Sequence, residues 1–118
     1  MSPKTPLEPS LSPPVFHVLL ALGDDVLHGY AIMQRFEELT GGEDQLLPGT
    51  LYATLARMVE LGLIEEAHAP RGERSGGAPR RHYRATARGR AAARAEGERM
   101  RRLVEVAKKQ ALLPGTSR

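Results

Sequence analysis

The stretch Pro48-Gly49-Thr50-Leu51-Tyr52-Ala53-Thr54-Leu55-Ala56-Arg57-Met58-Val59-Glu60-Leu61-Gly62 decides how this chain reads. Pro48 lacks an amide hydrogen and has a φ suited to a first helical turn, and Gly62 can close a helix. Between them Leu51, Leu55, Met58 and Val59 recur on one side of a helix turning about 100° per residue, which makes them the inward face. Thr50, Ala53 and Arg57 point the other way, with Tyr52 at the boundary, and no acid interrupts this outward face before Glu60. Gly49, Thr50 and Ala53 are small, so the start of the helix can come close to an anionic surface, where its unpaired amides can meet a phosphate.

Working upstream, Gly41 and Gly42 stop a second helix that begins near Leu27 to Gly29 and runs to Thr40. Ile32, Phe36 and Leu39 fall at i, i+4 and i+7 and form its apolar stripe, with Met33 beside it. A first helix opens with Ser12 as N-cap hydroxyl and Pro13 and Pro14 in the first turn. Val15, Phe16, Leu19, Leu20 and Leu22 make it largely buried, and Gly23, Asp24 and Asp25 end it. Pro3, Pro6 and Pro9 make residues 1–12 an extended or mobile arm, because proline supplies no amide to a helix or an inner strand.

Downstream, Leu63 to Ala67 reads as a strand and Arg80 to Thr86, with Tyr83, as its return. Pro70, Gly72, Gly76, Gly77 and Pro79 between them make a turn or flexible loop, and Arg71, Arg74, Arg80, Arg81 and Arg84 make the hairpin basic. Thr86 then caps a helix from Ala87 to about Ala111 with the stripe Ala93, Met100, Leu103, Val104, Ala107 and Ala111. Glu96 and Gly97 interrupt that stripe, and Gly97 reads either as a close helix approach or as a weak spot worth roughly 1 kcal/mol relative to alanine. No remaining element of the chain is large enough to cover the stripe, so a second copy is the expected cover, and residues 112–118 are a tail.

The expected fold class is therefore mainly α with a small β-hairpin. Three helices and a hairpin over residues 13–86 follow the order of a winged helix-turn-helix, in which the third helix enters the major groove of DNA and the hairpin lies over the neighbouring backbone. A long dimerisation helix over residues 87–111 completes it. Arginine brings both charge and a planar donor fork for phosphate or base edges, which suits the hairpin to that task. The competing reading is a winged-helix protein-interaction module, and the number of arginines on one loop argues against it.

Composition points the same way. The chain has 118 residues, 41% apolar and 4% aromatic, enough for one small domain. The absence of cysteine excludes disulfides, cysteine zinc sites and thiol nucleophiles. The net charge of +3 hides a division: residues 1–70 carry three Lys/Arg against ten Asp/Glu, and residues 71–118 carry fourteen against four. An anionic partner, nucleic acid before membrane, is implied. The longest apolar run, Val15 to Leu22, falls far short of the ~20 residues that span a bilayer, and with no basic leader the expected location is the cytoplasm. His17, His28, His68 and His82 have no metal-ligand spacing, and no catalytic triad or phosphate-binding glycine loop is present. Neither enzymatic activity nor a cofactor is expected.

Several boxes together carry a resemblance. Leu19 to Thr40, LLALGDDVLHGYAIMQRFEELT, contains His28-Gly29-Tyr30; Pro48-Gly49-Thr50-Leu51-Tyr52 and Leu61-Gly62-Leu63-Ile64 follow; Gly77 to Thr86 leads into Thr86-x-x-Gly89. In this combination the chain resembles the PadR family of transcriptional regulators over roughly residues 15–110. The resemblance implies a homodimeric repressor bound to an inverted-repeat operator in double-stranded DNA. It places Tyr30, Thr50, Tyr52 and Arg57, with the neighbouring Gly49 and Ala53, at the DNA, and the wing at Gly76 to Arg81, flanked by Arg74. The rings of Tyr30 and Tyr52 can equally pack between helices with their hydroxyls at the surface. Short relatives also imply release by a small hydrophobic or phenolic effector between the dimer helices, although Met100 at mid-stripe reads as seam packing first. His28 is expected to be a structural hydrogen-bonder at a helix start. His82 and Ala85 replace a customary aromatic and leucine, so looser strand packing under the wing is expected.

Overall fold

The computed structural model describes residues 11–70 and 80–115. Their order is α1 (Pro13–Leu22), β1 (Leu27–His28), α2 (Gly29–Leu39), α3 (Pro48–Glu60), β2 (Ile64–Ala67), β3 (His82–Ala85) and α4 (Ala87–Lys109). The four helices and the return strands lie where the periodicity puts them, within a residue or two. The two-residue strand β1 was not expected. Leu27 pairs with Tyr83 and His28 with His82, so β3 is the centre of a three-stranded antiparallel sheet with the order β1-β3-β2. Two residues carry no period of their own, and only pairing with a strand more than fifty positions away makes them a strand.

One core joins all the elements. Val18, Leu22, Ile32, Phe36, Leu51, Leu55, Met58 and Ile64 are its largest fully buried side chains. α1 lies at the centre and packs on α2, α3 and α4. Arg35 of α2 ties down the end of α1, donating to Ala21 O at 3.2 Å and pairing with Asp25 at 2.9 Å. α3 ends as expected at glycine: Gly62 has φ 75°, its amide donates to Val59 O and that of Leu63 to Met58 O. Leu20, Leu39 and Val59 belong to the expected apolar faces but are exposed, because each lies at the margin of its stripe, outside the footprint of the neighbouring helix. Ser12 makes no side-chain cap; only its carbonyl joins α1, accepting from Phe16 N at 3.0 Å.

Under the wing the packing is tight rather than loose, with His82, Tyr83 and Ala85 all buried. The His82 ring stands edge-on to that of His28, with centroids 5.3 Å apart. His17 stacks on Phe36 at 4.3 Å; burial lowers its pKa from the ordinary value, opposed by the nearby charge of Asp44.

The long helix α4 differs most from expectation. Gly89, Ala92 and Glu96 are its buried residues, and Ala93 packs partly against the same core. The first half of the stripe is thus covered by the chain itself. Thr86 caps α4 as expected, accepting from Gly89 N at 3.0 Å, while its own hydroxyl donates to Gly62 O at 2.6 Å. A Cβ on Gly89 would lie 2.0 Å from Leu63 O, so α4 can dock on the backbone between α3 and β2 only through a residue without a side chain. Glu96 does not break the packing; it joins it. Its carboxylate accepts from Leu11 N at 3.3 Å and from Arg99 at 2.5 Å. The hydrogen bond from Arg99, with that from Leu11, holds its pKa below the ordinary carboxylate value against the effect of burial. Ala111 is not part of the helix: it has φ 60° in the turn that follows.

Candidate nucleic-acid interface

The outward face of α3 is open. Pro48 occupies the first turn, no side chain caps the helix, and no acid lies in that turn. The first intrahelical bond runs from Leu51 N to Leu47 O, which leaves the amides of Gly49 and Thr50 ahead of the helical ladder. Gly49, Thr50, Tyr52, Ala53 and Arg57 are all exposed, and the space around Gly49 is empty to 4 Å. Arg57 has only a distant ion pair, 3.9 Å to Glu60 one turn away. An exposed pair of this kind is worth at most about 1 kcal/mol, so a phosphate can displace the carboxylate from the guanidinium.

Beside this face, a cleft of about 790 Å³ runs between α3, the start of α2 and the root of the wing. Tyr30 and Tyr52 stand on its helical side and Arg80 and Arg81 on its wing side. Gly49, Thr50, Ala53 and Arg57 lie outside its lining and form the ridge next to it. Arg74, Gly76 and Gly77 lie outside the described residues. The arrangement sets the exposed outward face of α3 beside a groove edged by two arginines.

Sequence reasoning missed several residues that build this cleft. Gly29 is one: a Cβ there would lie 2.9 Å from the Tyr52 ring, so the glycine is the seat on which Tyr52 rests. Tyr52 therefore packs against α2 while its side chain stays about half exposed. His28 is the second. As expected it caps α2, its Nδ1 accepting from Ala31 N at 3.1 Å, but its Nε2 also lies 3.0 Å from Arg80 Nη1. A neutral imidazole can accept from only one of two such donors at a time, so the ring shares itself between the helix cap and the wing root. Glu66 and Val59 line the same cleft. The His-Gly-Tyr box held the signal for Gly29, and nothing local marked Glu66.

A second surface lies at the far end of α4. Met100, Leu103, Val104 and Val106 are exposed, and Leu112 and Leu113 follow beyond the helix. At 1.5 Å per residue, the segment past Glu96 extends about 20 Å. Of the expected seam residues, Met100, Leu103 and Val104 are exposed here and Ala107 is half-buried, whereas Ala93 belongs to the core and Ala111 to the turn. Among the described residues no His/Asp/Glu group could hold a metal ion, and no helix is long and apolar enough to cross a membrane.

Three helices, a winged sheet and an exposed third helix beside a basic groove define the winged-helix class of transcription regulators. The model of the transcriptional regulator PadR-like family matches residues 18–95, and the chain belongs to that family, whose members are regulators rather than enzymes. A PadR family transcription regulator from Clostridium difficile is similar in structure, with a TM-score of 0.67 and 22% identity over 83% of this chain and 97% of that one. A transcriptional regulator from Clostridium thermocellum gives 0.66 and 23%, covering 81% and 87%. Bacillus subtilis PadR, solved in complex with operator DNA, gives 0.56 and 21%, over 68% of this chain and 44% of that one. No curated protein matches the chain.

Proposed function

We propose that this protein is a transcriptional repressor that binds a pseudo-palindromic operator as a homodimer in the cytoplasm. Each subunit lays α3 in a major groove, the two about 34 Å apart, and its wing along the adjoining backbone. The observation that carries this reading is the open, acid-free first turn of α3 next to a cleft edged by Arg80 and Arg81. The operator complex of Bacillus subtilis PadR, a protein of the same fold, supports it. Thr50, Tyr52 and Arg57 set register and base contact, Tyr30 joins them from α2, and the wing supplies affinity. The exposed apolar end of α4, Met100 to Val106, supplies the dimer seam.

A small hydrophobic or phenolic effector is proposed to act at this seam. The open space around Gly97, where a Cβ would meet nothing within 4 Å, leaves room for one beside the exposed half of the helix. Thermal stabilisation by one of a panel of phenolic and planar compounds, coupled to loss of DNA binding, is the expected sign.

The deciding experiment titrates the protein against a labelled fragment of its own upstream region. Binding is expected to weaken with salt at a logarithmic slope of about 0.9 per phosphate neutralised. Arg57→Ala is expected to cost roughly 1–3 kcal/mol and to change sequence preference. A salt-independent shift, or no shift together with a protein partner recovered by pull-down, would instead favour the protein-interaction module.

A further inference from the structure

The wing root carries a carboxylate on the side where phosphate is expected. Glu66 stands opposite Tyr83 in the β2–β3 ladder, lines the cleft, and pairs with Arg81 at 3.5 Å. Both side chains are more than half exposed, so the pair meets the solvent from which DNA would arrive. Glu65, its neighbour, stands opposite Arg84 and pairs with it at 2.7 Å. Successive residues of a strand face opposite sides, so the Glu65–Arg84 pair lies on the other face of the sheet, off the cleft. One strand thus carries two acid–arginine pairs, only one of them in the groove.

We propose that Glu66 is a specificity determinant of DNA binding: it holds Arg81 in an ion pair that a phosphate must displace, and so penalises DNA of arbitrary sequence more than operator. The inference rests on the DNA-binding reading above. Binding without sequence preference is almost wholly cation–phosphate attraction, which a cation already paired serves poorly. A carboxylate within about 8–10 Å of a phosphate also repels it at ordinary ionic strength. Exchanging carboxylate for phosphate needs the phosphate held within reach of Arg81. A seated α3 holds it there on operator, whereas a loosely bound duplex leaves Arg81 with Glu66.

The test compares wild type, Glu66→Gln and Glu65→Gln on a mixed-sequence duplex and on an operator duplex selected by the wild-type protein from a random pool, across a salt series. Glu66→Gln is expected to tighten the mixed-sequence duplex by about threefold to fivefold and to steepen its logarithmic salt slope by about 0.9, one further phosphate. Operator binding gains less, so the specificity ratio falls. Glu65→Gln removes the same charge from the same strand and is expected to move both duplexes equally and weakly. In an Arg81→Ala background, Glu66→Gln should do no more than Glu65→Gln. Equality of the two single variants, an equal gain on both duplexes, or an effect that survives Arg81→Ala would overturn the proposal. If the wild type binds neither duplex, the DNA-binding reading itself falls. Thermal melting of each variant shows that the fold is intact.

Discussion

The two halves of α4 share one amphipathic helix and opposite fates. From Gly89 to Glu96 the helix is packed on its own chain, closely enough that one position admits no side chain. From Met100 onward the same stripe is exposed and apolar. The first half belongs to the folding of the subunit; the second is free to serve another molecule. Amphipathic periodicity reports that a face wants cover and is silent about what provides it.

Substitutions along the helix can break that contrast. Gly89→Ala is expected to have the largest effect, about 3 kcal/mol or more in urea unfolding, because the new Cβ meets the Leu63 carbonyl and the docked backbone must move. A well-folded Gly89→Ala protein of normal stability would show that α4 and the Leu63 backbone can separate at no cost. Leu103→Glu comes next and acts on a different quantity. Leu103 is exposed within the subunit, so unfolding of the monomer should barely change, while self-association weakens by roughly 30-fold or more in sedimentation equilibrium. Unchanged association would move the seam off this face.

Glu96 tests the boundary between the halves. Its pKa is held below the ordinary value by Arg99 first and by Leu11 N as well, so its ionised form stabilises the fold above the unfolded carboxylate pKa of about 4.3. That contribution disappears as the pH falls through the lower, folded value. Glu96→Gln should lower the melting temperature at neutral pH by roughly 4–8 °C and flatten the loss of stability below pH of about 4.3. Equal acid sensitivity in both proteins would assign that sensitivity to other carboxylates. The smallest effect is expected at Gly97, where a Cβ meets nothing within 4 Å. Gly97→Ala should stabilise the subunit by up to about 1 kcal/mol. A fall in self-association instead would place the partner helix against that glycine.

Much of this was legible in the sequence, for a definable reason. The capped start of α4, the glycine stop of α3, the outward face carrying Thr50 and Arg57, and His28 as a helix-start hydrogen-bonder all depend on neighbours within about four residues. The features missed or misread depend on distant ones. β1 exists through β3, Glu96 is buried because Leu11 and Arg99 satisfy it, and Glu66 reaches the groove through a strand register. Gly89 and Gly97 are the clearest case: two glycines eight positions apart in one helix carry the same local cost, yet one is a docking point and the other faces open space.

The sequence by itself determined the class of fold, the open outward face of α3, the charge division along the chain and the family, because periodicity, caps and charge are written in local order. Only the tertiary structure decided which half of α4 is core, which glycine is indispensable, and which arginine meets a carboxylate in the cleft. Those outcomes depend on which remote backbone or side chain arrives within a few ångströms, and no local pattern encodes that distance.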